Sequence, residues 1–293
     1  MTEPRLHHVQ CLDSRGLHRM AYWEWGDAAN PRVLVCVHGL SRQGRDFDVI
    51  AQDLMGSYES GHYRVVCPDV VGRGQSDWLA DPMGYGIPTY VADMVTLLAR
   101  LNASQLDWVG TSMGGLIGLG VASLPGSPVR RLVLNDVGPT IEAVALQRIG
   151  AYLGQPTQWP TVEAAADALW QISQGFGPHS REQWLALTRP QLKASGSGFK
   201  PHYDPAIALP FRAVTPELAA AGQAALWAGY DRLTAATLLL RGADSDLLSP
   251  ATAAAMAVRG PKAQVHEFAG VGHAPMLVQP EQREVVRNFL LGP

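Results

Sequence analysis

The sequence is poor in cysteine, has no long apolar run and carries little excess charge of either sign. Its 293 residues include three cysteines, Cys11, Cys36 and Cys67, with no closely spaced pair. This pattern argues against a disulfide framework or a zinc site, and Cys36 and Cys67 are predicted to be small buried thiols because each lies in an apolar run. No apolar stretch approaches the roughly 20 residues of a membrane-spanning helix.

The charge balance excludes further classes of partner. The net charge is -3 and no block of like charges occurs, so the chain lacks the positive field that attracts nucleic acid or an anionic membrane. The first residues also lack the positive and then apolar segments of a secretion signal. We therefore expect a cytoplasmic protein that acts on a small-molecule substrate, with no nucleic-acid or membrane partner, and a homo-oligomer stays open.

Six short apolar runs end at a glycine or a polar residue, which predicts buried strands. They occupy residues 33–37, 64–67, 106–109, 131–134, 237–240 and 264–268. Amphipathic stretches between them, such as Thr89 to Leu101, predict helices. This alternation indicates a parallel sheet with helices on both faces, and Tyr22 to Trp25 predicts an antiparallel edge hairpin ahead of it.

The strand pattern stops after Gly138-Pro139. Residues 139–227 show no strand signal, are rich in alanine and contain four tryptophans. We predict that they form a helical cap inserted into a core made of residues 1–138 and 228–293. The small, polar stretch from Ala194 to Gly198 is predicted to be a flexible loop at the surface of the cap.

The segment Gly110-Thr111-Ser112-Met113-Gly114 has the spacing G-x-S-x-G between a predicted strand and an apolar helix. This context predicts that Ser112 lies on a sharp turn with its hydroxyl exposed above the sheet. Glycine is needed on each side because a side chain there would collide with neighbouring backbone. The start of a helix also supplies N–H groups that stabilise negative charge. The segment therefore predicts a nucleophilic serine.

With these residues the chain resembles the α/β-hydrolase family over nearly its whole length. The resemblance includes Val37-His38-Gly39 after one predicted strand, and Pro68 to Asp77, PDVVGRGQSD, after the next. It implies an α/β fold with a mostly parallel, doubly wound sheet of eight strands and a helical cap. Serine at position 112 implies acyl transfer, whereas an aspartate there would indicate a dehalogenase or an epoxide hydrolase.

The resemblance also implies a base and an acid for this serine. His273 lies in a glycine-flanked loop after the last predicted strand, where the family has its catalytic histidine, while His38 matches a structural histidine. Asp246, four residues before a proline, has the family's common spacing for the acid and is preferred to Asp244. Asp136 is a third candidate, because some members keep the acid after the strand that follows the nucleophile.

The family supplies an oxyanion hole from the residues after the HG pair and after the nucleophile, here the backbone N–H groups of Leu40 and Met113. Trp170 and Trp227 are candidate substrate contacts in an apolar pocket. No dinucleotide, phosphate-binding or metalloprotease motif occurs, and no metal-ligand cluster is visible, so neither a cofactor nor a metal is expected.

These features predict a serine hydrolase of the carboxylesterase type that cleaves esters of small or medium apolar acyl compounds. A lactonase, a thioesterase or a carbon–carbon bond hydrolase would use the same three side chains, and the sequence does not separate them. The alternative from another class is a non-catalytic receptor for a small ligand, since a fold can host unrelated functions.

Overall fold

A central sheet of eight strands organises the protein, which a computed structural model describes for residues 3–56 and 59–292. Its strands are β1 Arg5–Asp13, β2 Gly16–Trp25, β3 Arg32–Val37, β4 Arg64–Pro68, β5 Gln105–Thr111, β6 Val129–Asn135, β9 Ala236–Gly242 and β10 Gln264–Phe268. Strands β7 Leu192–Ser195 and β8 Gly198–Pro201 form a separate two-stranded sheet. The order in the large sheet is β1-β2-β4-β3-β5-β6-β9-β10. Strand β2 is antiparallel to β1 and β4, and the other pairs are parallel. The predicted mostly parallel sheet with an N-terminal hairpin is confirmed.

The central strands are apolar because both faces of the sheet are covered. In β3, Val33, Val35 and Val37 join one buried cluster, while Leu34 and Cys36 join a second cluster on the opposite face. Strand β10 differs, since it lies at the sheet edge and four of its five residues are exposed. The prediction of six buried strands is therefore wrong for β10, which has a neighbouring strand on one side only.

Helices cover the sheet and build most of the chain between β6 and β9. They are α1 Asp48–Leu54, α2 Ile87–Leu101, α3 Met113–Ala122, α4 Ala143–Tyr152, α5 Val162–Ser173, α6 Arg181–Thr188, α7 Ala208–Arg212, α8 Pro216–Tyr230, α9 Pro250–Val258 and α10 Pro280–Leu291. Helix α2 ends where predicted, because Asn102 adopts a left-handed φ of 48°. Among the described helices, none combines the length and the apolar character that crossing a membrane requires.

Residues 143–230, here called the insert, separate β6 from β9. The insert contains α4 to α8, and the predicted cap boundary at residue 227 falls inside α8. At the predicted flexible loop, β7 and β8 instead form an antiparallel hairpin with Ser195 opposite Gly198. The loop prediction is wrong because Gly196, with φ of 58°, lets the chain reverse within two residues.

Three potential metal ligands, Cys11, His18 and Asp93, meet between the N-terminal hairpin and α2, although the sequence showed no such cluster. His18 Nε2 lies 3.0 Å from Asp93 Oδ2, and both side chains are buried. Burial raises the pKa of the Cys11 thiol to about 12, whereas metals bind the thiolate. We interpret the cluster as a buried polar contact that joins the hairpin to α2.

Candidate active site

Ser112 occupies a sharp turn between β5 and α3. Its φ of 52° and ψ of -117° lie in a region that residues with side chains rarely adopt. A Cβ on Gly110 would lie 2.3 Å from the carbonyl oxygen of Gly114, and a Cβ on Gly114 would lie 1.9 Å from that of Val37. No side chain fits at either position, which confirms the steric reason for the two glycines.

The imidazole of His273 connects the Ser112 hydroxyl with the carboxylate of Asp136. His273 Nε2 lies 2.9 Å from Ser112 Oγ, and His273 Nδ1 lies 2.7 Å from Asp136 Oδ2. The Asp136 side chain is fully buried and that of His273 is 10% exposed. A carboxylate on Nδ1 fixes the ring so that Nε2 faces the hydroxyl. Side chains from three distant loops thus form one continuous hydrogen-bonded chain.

Asp136 is held in place by the strand beside its own. It directly follows β6 and has a left-handed φ of 54°. Its Oδ1 accepts a hydrogen bond from the N–H of Gly242 at 2.9 Å, and its Oδ2 accepts one from the hydroxyl of Ser245 at 2.6 Å. Both donors belong to the end of β9 or the loop after it, and β9 is the neighbour of β6. Two adjacent strand ends therefore aim this carboxylate at His273.

The choice of Asp246 as the orienting acid is contradicted by these contacts. The Asp246 carboxylate instead accepts hydrogen bonds from Nε and Nη2 of Arg148, at 2.6 and 2.8 Å. The hydrogen bonds from the Arg148 guanidinium hold the pKa of Asp246 below its usual range. Asp244 is exposed. The loop after β9 therefore supplies Ser245 to the group around His273, and the carboxylate in contact with His273 is that of the third candidate, Asp136.

The two predicted oxyanion donors, Leu40 and Met113, lie close to Ser112. Met113 is the next residue and the first of α3. Leu40 follows Gly39, and a Cβ on Gly39 would lie 3.7 Å from Ser112 Cβ. Both residues therefore lie close enough to Ser112 to place a backbone N–H beside an acyl group bound there.

His38 shapes the loop that contains Leu40. Its Nε2 accepts a hydrogen bond from the N–H of Val70 at 2.9 Å, and its Nδ1 lies 2.7 Å from the carbonyl oxygen of Gly39. Burial lowers the pKa of His38 to about 3, so the ring is neutral. These contacts agree with the structural role that the sequence indicates.

Arg73 contacts both candidate oxyanion residues and was missed by the sequence analysis. Its Nε donates to the carbonyl oxygen of Leu40 at 2.8 Å, and its Nη2 lies 3.7 Å from Met113 Sδ. Its Nη1 donates to the hydroxyl of Tyr90 and to the carbonyl oxygen of Val71. The side chain is completely buried and these partners are neutral. A signal was present, since Arg73 lies in the PDVVGRGQSD segment.

A cavity of about 350 Å³ opens beside Ser112 and His273. Its walls come from the loops at the carboxyl ends of the strands and from the insert. The residues of the insert that line it include Arg148, Ile149, Tyr152, Gln155, Trp159, Leu169, Ile172, Phe176 and Tyr203. Both apolar and polar side chains are present, as is common in small-molecule sites.

The predicted substrate contacts Trp170 and Trp227 are not among the described residues that line this cavity. Trp170 packs on Trp184 with ring centroids 5.0 Å apart. Trp227 packs edge-to-face on Tyr230 at 5.7 Å. The prediction is wrong for both, because Trp170 packs partly buried against the cluster around Trp184, and Trp227 packs partly buried against the core beside Tyr230. Trp159, which was not selected, does line the cavity.

The sheet order and the turn between β5 and α3 are those of an α/β-hydrolase. The sequence model of the alpha/beta hydrolase family matches residues 34–287. The chain therefore belongs to the α/β-hydrolase family.

Comparison with individual proteins narrows the class. The chain is 54% identical over 293 residues to a 3-hydroxybutyrate-oligomer hydrolase from Cupriavidus necator, covering 99% of this chain and 98% of that protein. The crystal structure of an α/β-hydrolase from Novosphingobium aromaticivorans matches with a TM-score of 0.84 and 34% identity, over 99% of both chains. A 2-hydroxy-6-oxo-2,4-heptadienoate hydrolase from Pseudomonas putida is 28% identical over 79% of both. The protein is thus an enzyme, a hydrolase.

Proposed function

We propose that the protein hydrolyses carboxylic esters through an acyl-enzyme on Ser112. The observation that supports this most directly is the hydrogen-bonded chain from Ser112 through His273 to Asp136. His273 takes the hydroxyl proton as Ser112 attacks the ester carbonyl, and Asp136 stabilises the resulting imidazolium. His273 then gives this proton to the departing alcohol.

The negative charge that develops during the attack is stabilised by the backbone. The N–H groups of Leu40 and Met113 donate to the oxyanion of the tetrahedral intermediate, and the start of α3 adds the positive end of its dipole. In the second half of the reaction a water attacks the acyl-enzyme with His273 as base. This step releases the acid and restores the Ser112 hydroxyl.

We infer that the substrates are short oligomers of 3-hydroxybutyrate. The relative from Cupriavidus necator is named for this activity, and the match covers nearly the full length of both proteins. Such an oligomer is a row of carboxylic esters, which suits an acyl-enzyme mechanism. The cavity of about 350 Å³ is in the range of small-molecule sites, ~300–1,000 Å³. The insert, which lines part of the cavity, acts as its cap.

A substrate panel tests this proposal. Wild type and Ser112→Ala are assayed side by side on the dimer and trimer of 3-hydroxybutyrate, p-nitrophenyl butyrate, a butyryl thioester, a lactone and 2-hydroxy-6-oxo-2,4-heptadienoate. We expect the highest kcat/KM for the oligomers and a loss of all these activities in Ser112→Ala. A higher kcat/KM for the carbon–carbon substrate would contradict ester hydrolysis. Failure of a serine-directed fluorophosphonate to label folded wild type would favour a receptor.

A further inference from the structure

We propose that Arg148 binds the free carboxylate of the oligoester, on the side of the leaving alcohol. Arg148 belongs to α4 of the insert and lines the cavity that contains Ser112 and His273. This inference rests on the proposed function, because it assigns one end of the same substrate to a place in the same cavity.

The chemistry of the substrate determines where a cation is useful. In a linear oligomer of a hydroxy acid, the acyl side of every ester leads to the free hydroxyl end, and the alkoxy side leads to the free carboxylate. The group that protonates the alkoxy oxygen is His273, so the carboxylate end lies on the His273 side of the site. A residue that binds the carboxylate must therefore lie on that side.

Arg148 meets this requirement through its partner, Asp246. Asp246 belongs to the loop after β9, the same loop that places Ser245 on Asp136. The Ser245 hydroxyl and His273 Nδ1 contact the same oxygen, Asp136 Oδ2, at 2.6 and 2.7 Å, so the loop that carries Asp246 lies beside the imidazole. A carboxylate bound by Arg148 is therefore on the leaving-group side of Ser112.

The second arginine that lines the cavity, Arg42, lies elsewhere. A Cβ on Gly39 would be 3.7 Å from both Arg42 Cγ and Ser112 Cβ, which places the Arg42 stem beside the oxyanion loop. Its guanidinium is bound by Asp46 through two hydrogen bonds of 2.6 Å, and the two side chains are 15% and 8% exposed. Arg42 is thus a buried support for the wall of the cavity, and Arg148 is the better-placed cation.

Arg148 keeps donors for a second carboxylate. A guanidinium has five N–H donors, and Asp246 uses Nε and one N–H of Nη2. The hydrogens of Nη1 and the other hydrogen of Nη2 lie outside the contact with Asp246, and Tyr152, which also lines the cavity, hydrogen-bonds to the same guanidinium. The Arg148 side chain lines the cavity and is 39% exposed, so a ligand in the cavity can reach its guanidinium. Arginine also matches the planar geometry of a carboxylate.

Asp246 holds the guanidinium in place but also repels an incoming carboxylate. Its removal therefore has a different consequence from the removal of Arg148. If the pair only fastened the insert to the core, Arg148→Met and Asp246→Asn would weaken the enzyme in the same way. If Arg148 binds substrate, Arg148→Met loses the carboxylate contact, and Asp246→Asn keeps it.

The test compares two substrates that differ only at one end: the dimer of 3-hydroxybutyrate, and the same dimer with a primary amide in place of its carboxylate. For Arg148→Met we expect kcat/KM on the free acid to fall about 10- to 100-fold, mainly through KM, because a charge-assisted hydrogen bond is lost. The kcat/KM of Arg148→Met on the amide should change less than about threefold. For Asp246→Asn we expect the KM for the free acid to stay the same or to fall.

The outcomes separate this inference from the proposed function. Suppose that wild type cleaves both dimers. The carboxylate site would then be overturned if Arg148→Met lost kcat/KM equally on the acid and the amide, or lost it on neither. The carboxylate site would also be overturned if the kcat/KM of Asp246→Asn on the free acid fell as much as that of Arg148→Met. A wild type that cleaves neither dimer, yet is labelled by a fluorophosphonate, would overturn the oligomer assignment, and the carboxylate site with it.

Discussion

The carboxyl edge of the sheet and the insert place their side chains by different means. At the edge, strand ends and backbone contacts fix Ser112 and Asp136, and both residues have a positive φ. In the insert, side-chain packing and ion pairs set the arrangement, as in the contact of Trp170 with Trp184 and that of Arg148 with Asp246. The difference suggests a division of labour, in which the edge determines the chemistry and the insert determines which substrate is held.

The largest expected effect is that of Ser112→Ala at the edge. The variant should lose about 10⁴-fold or more in kcat, because removal of the nucleophile leaves only binding and oxyanion stabilisation. Folding should change little, since the substitution removes one oxygen that borders a cavity. Steady-state kinetics on p-nitrophenyl butyrate and a thermal melt check both statements. Activity close to that of wild type would contradict the acyl-enzyme on Ser112.

Asp136→Asn tests which strand-end loop supplies the acid, the one after β6 or the one after β9, whose Asp246 is paired with the insert. We expect kcat to fall about 10²- to 10⁴-fold, because an amide on Nδ1 favours the wrong tautomer and does not stabilise the imidazolium. Asp246→Asn is the matched control, and it should change kcat on a neutral ester only a few-fold. Equal losses of kcat in the two variants would break the comparison between the two regions.

The two regions also differ in how far their sequence predicts them. The turn at Ser112 and the loop at His38 depend on local backbone geometry, so glycine spacing and strand ends are sufficient to find them. The acid depends on the packing of two loops against each other, and the spacing of Asp246 to a proline does not contain that information. Trp170 and Trp227 were chosen by residue type, but which face of a helix borders the cavity depends on the tertiary structure.

A smaller effect on kcat is expected from substitution of Arg73, a buried residue that contacts Leu40 and Met113 at the edge. Arg73→Met should lower kcat about 10- to 100-fold with a smaller change in KM, because Leu40 and Met113 lose a shared contact and a buried positive charge disappears. Arg73→Lys keeps the charge and should recover part of the kcat. The measurement is kcat and KM on p-nitrophenyl butyrate, with a thermal melt for each variant. Equal kcat values for the Lys and Met variants would show that the charge is unimportant.

The smallest effect concerns stability, and it compares a histidine of the edge with one of the insert. Burial lowers the pKa of His38 to about 3 and lowers that of His179 as well. Below pH 6.5 the unfolded chain binds a proton that folded His38 does not, so stability present above pH 6.5 is lost as the pH falls toward 3. The variant His38→Gln has no histidine at this position and does not show this loss. The free energy of unfolding of wild type minus that of the variant should therefore fall by on the order of 1 kcal/mol per pH unit between pH 6.5 and 4.5. Urea unfolding at several pH values measures this difference. For His179→Gln, the same difference should change less steeply with pH. An advantage that does not vary with pH would mean that His38 takes up a proton in the folded enzyme.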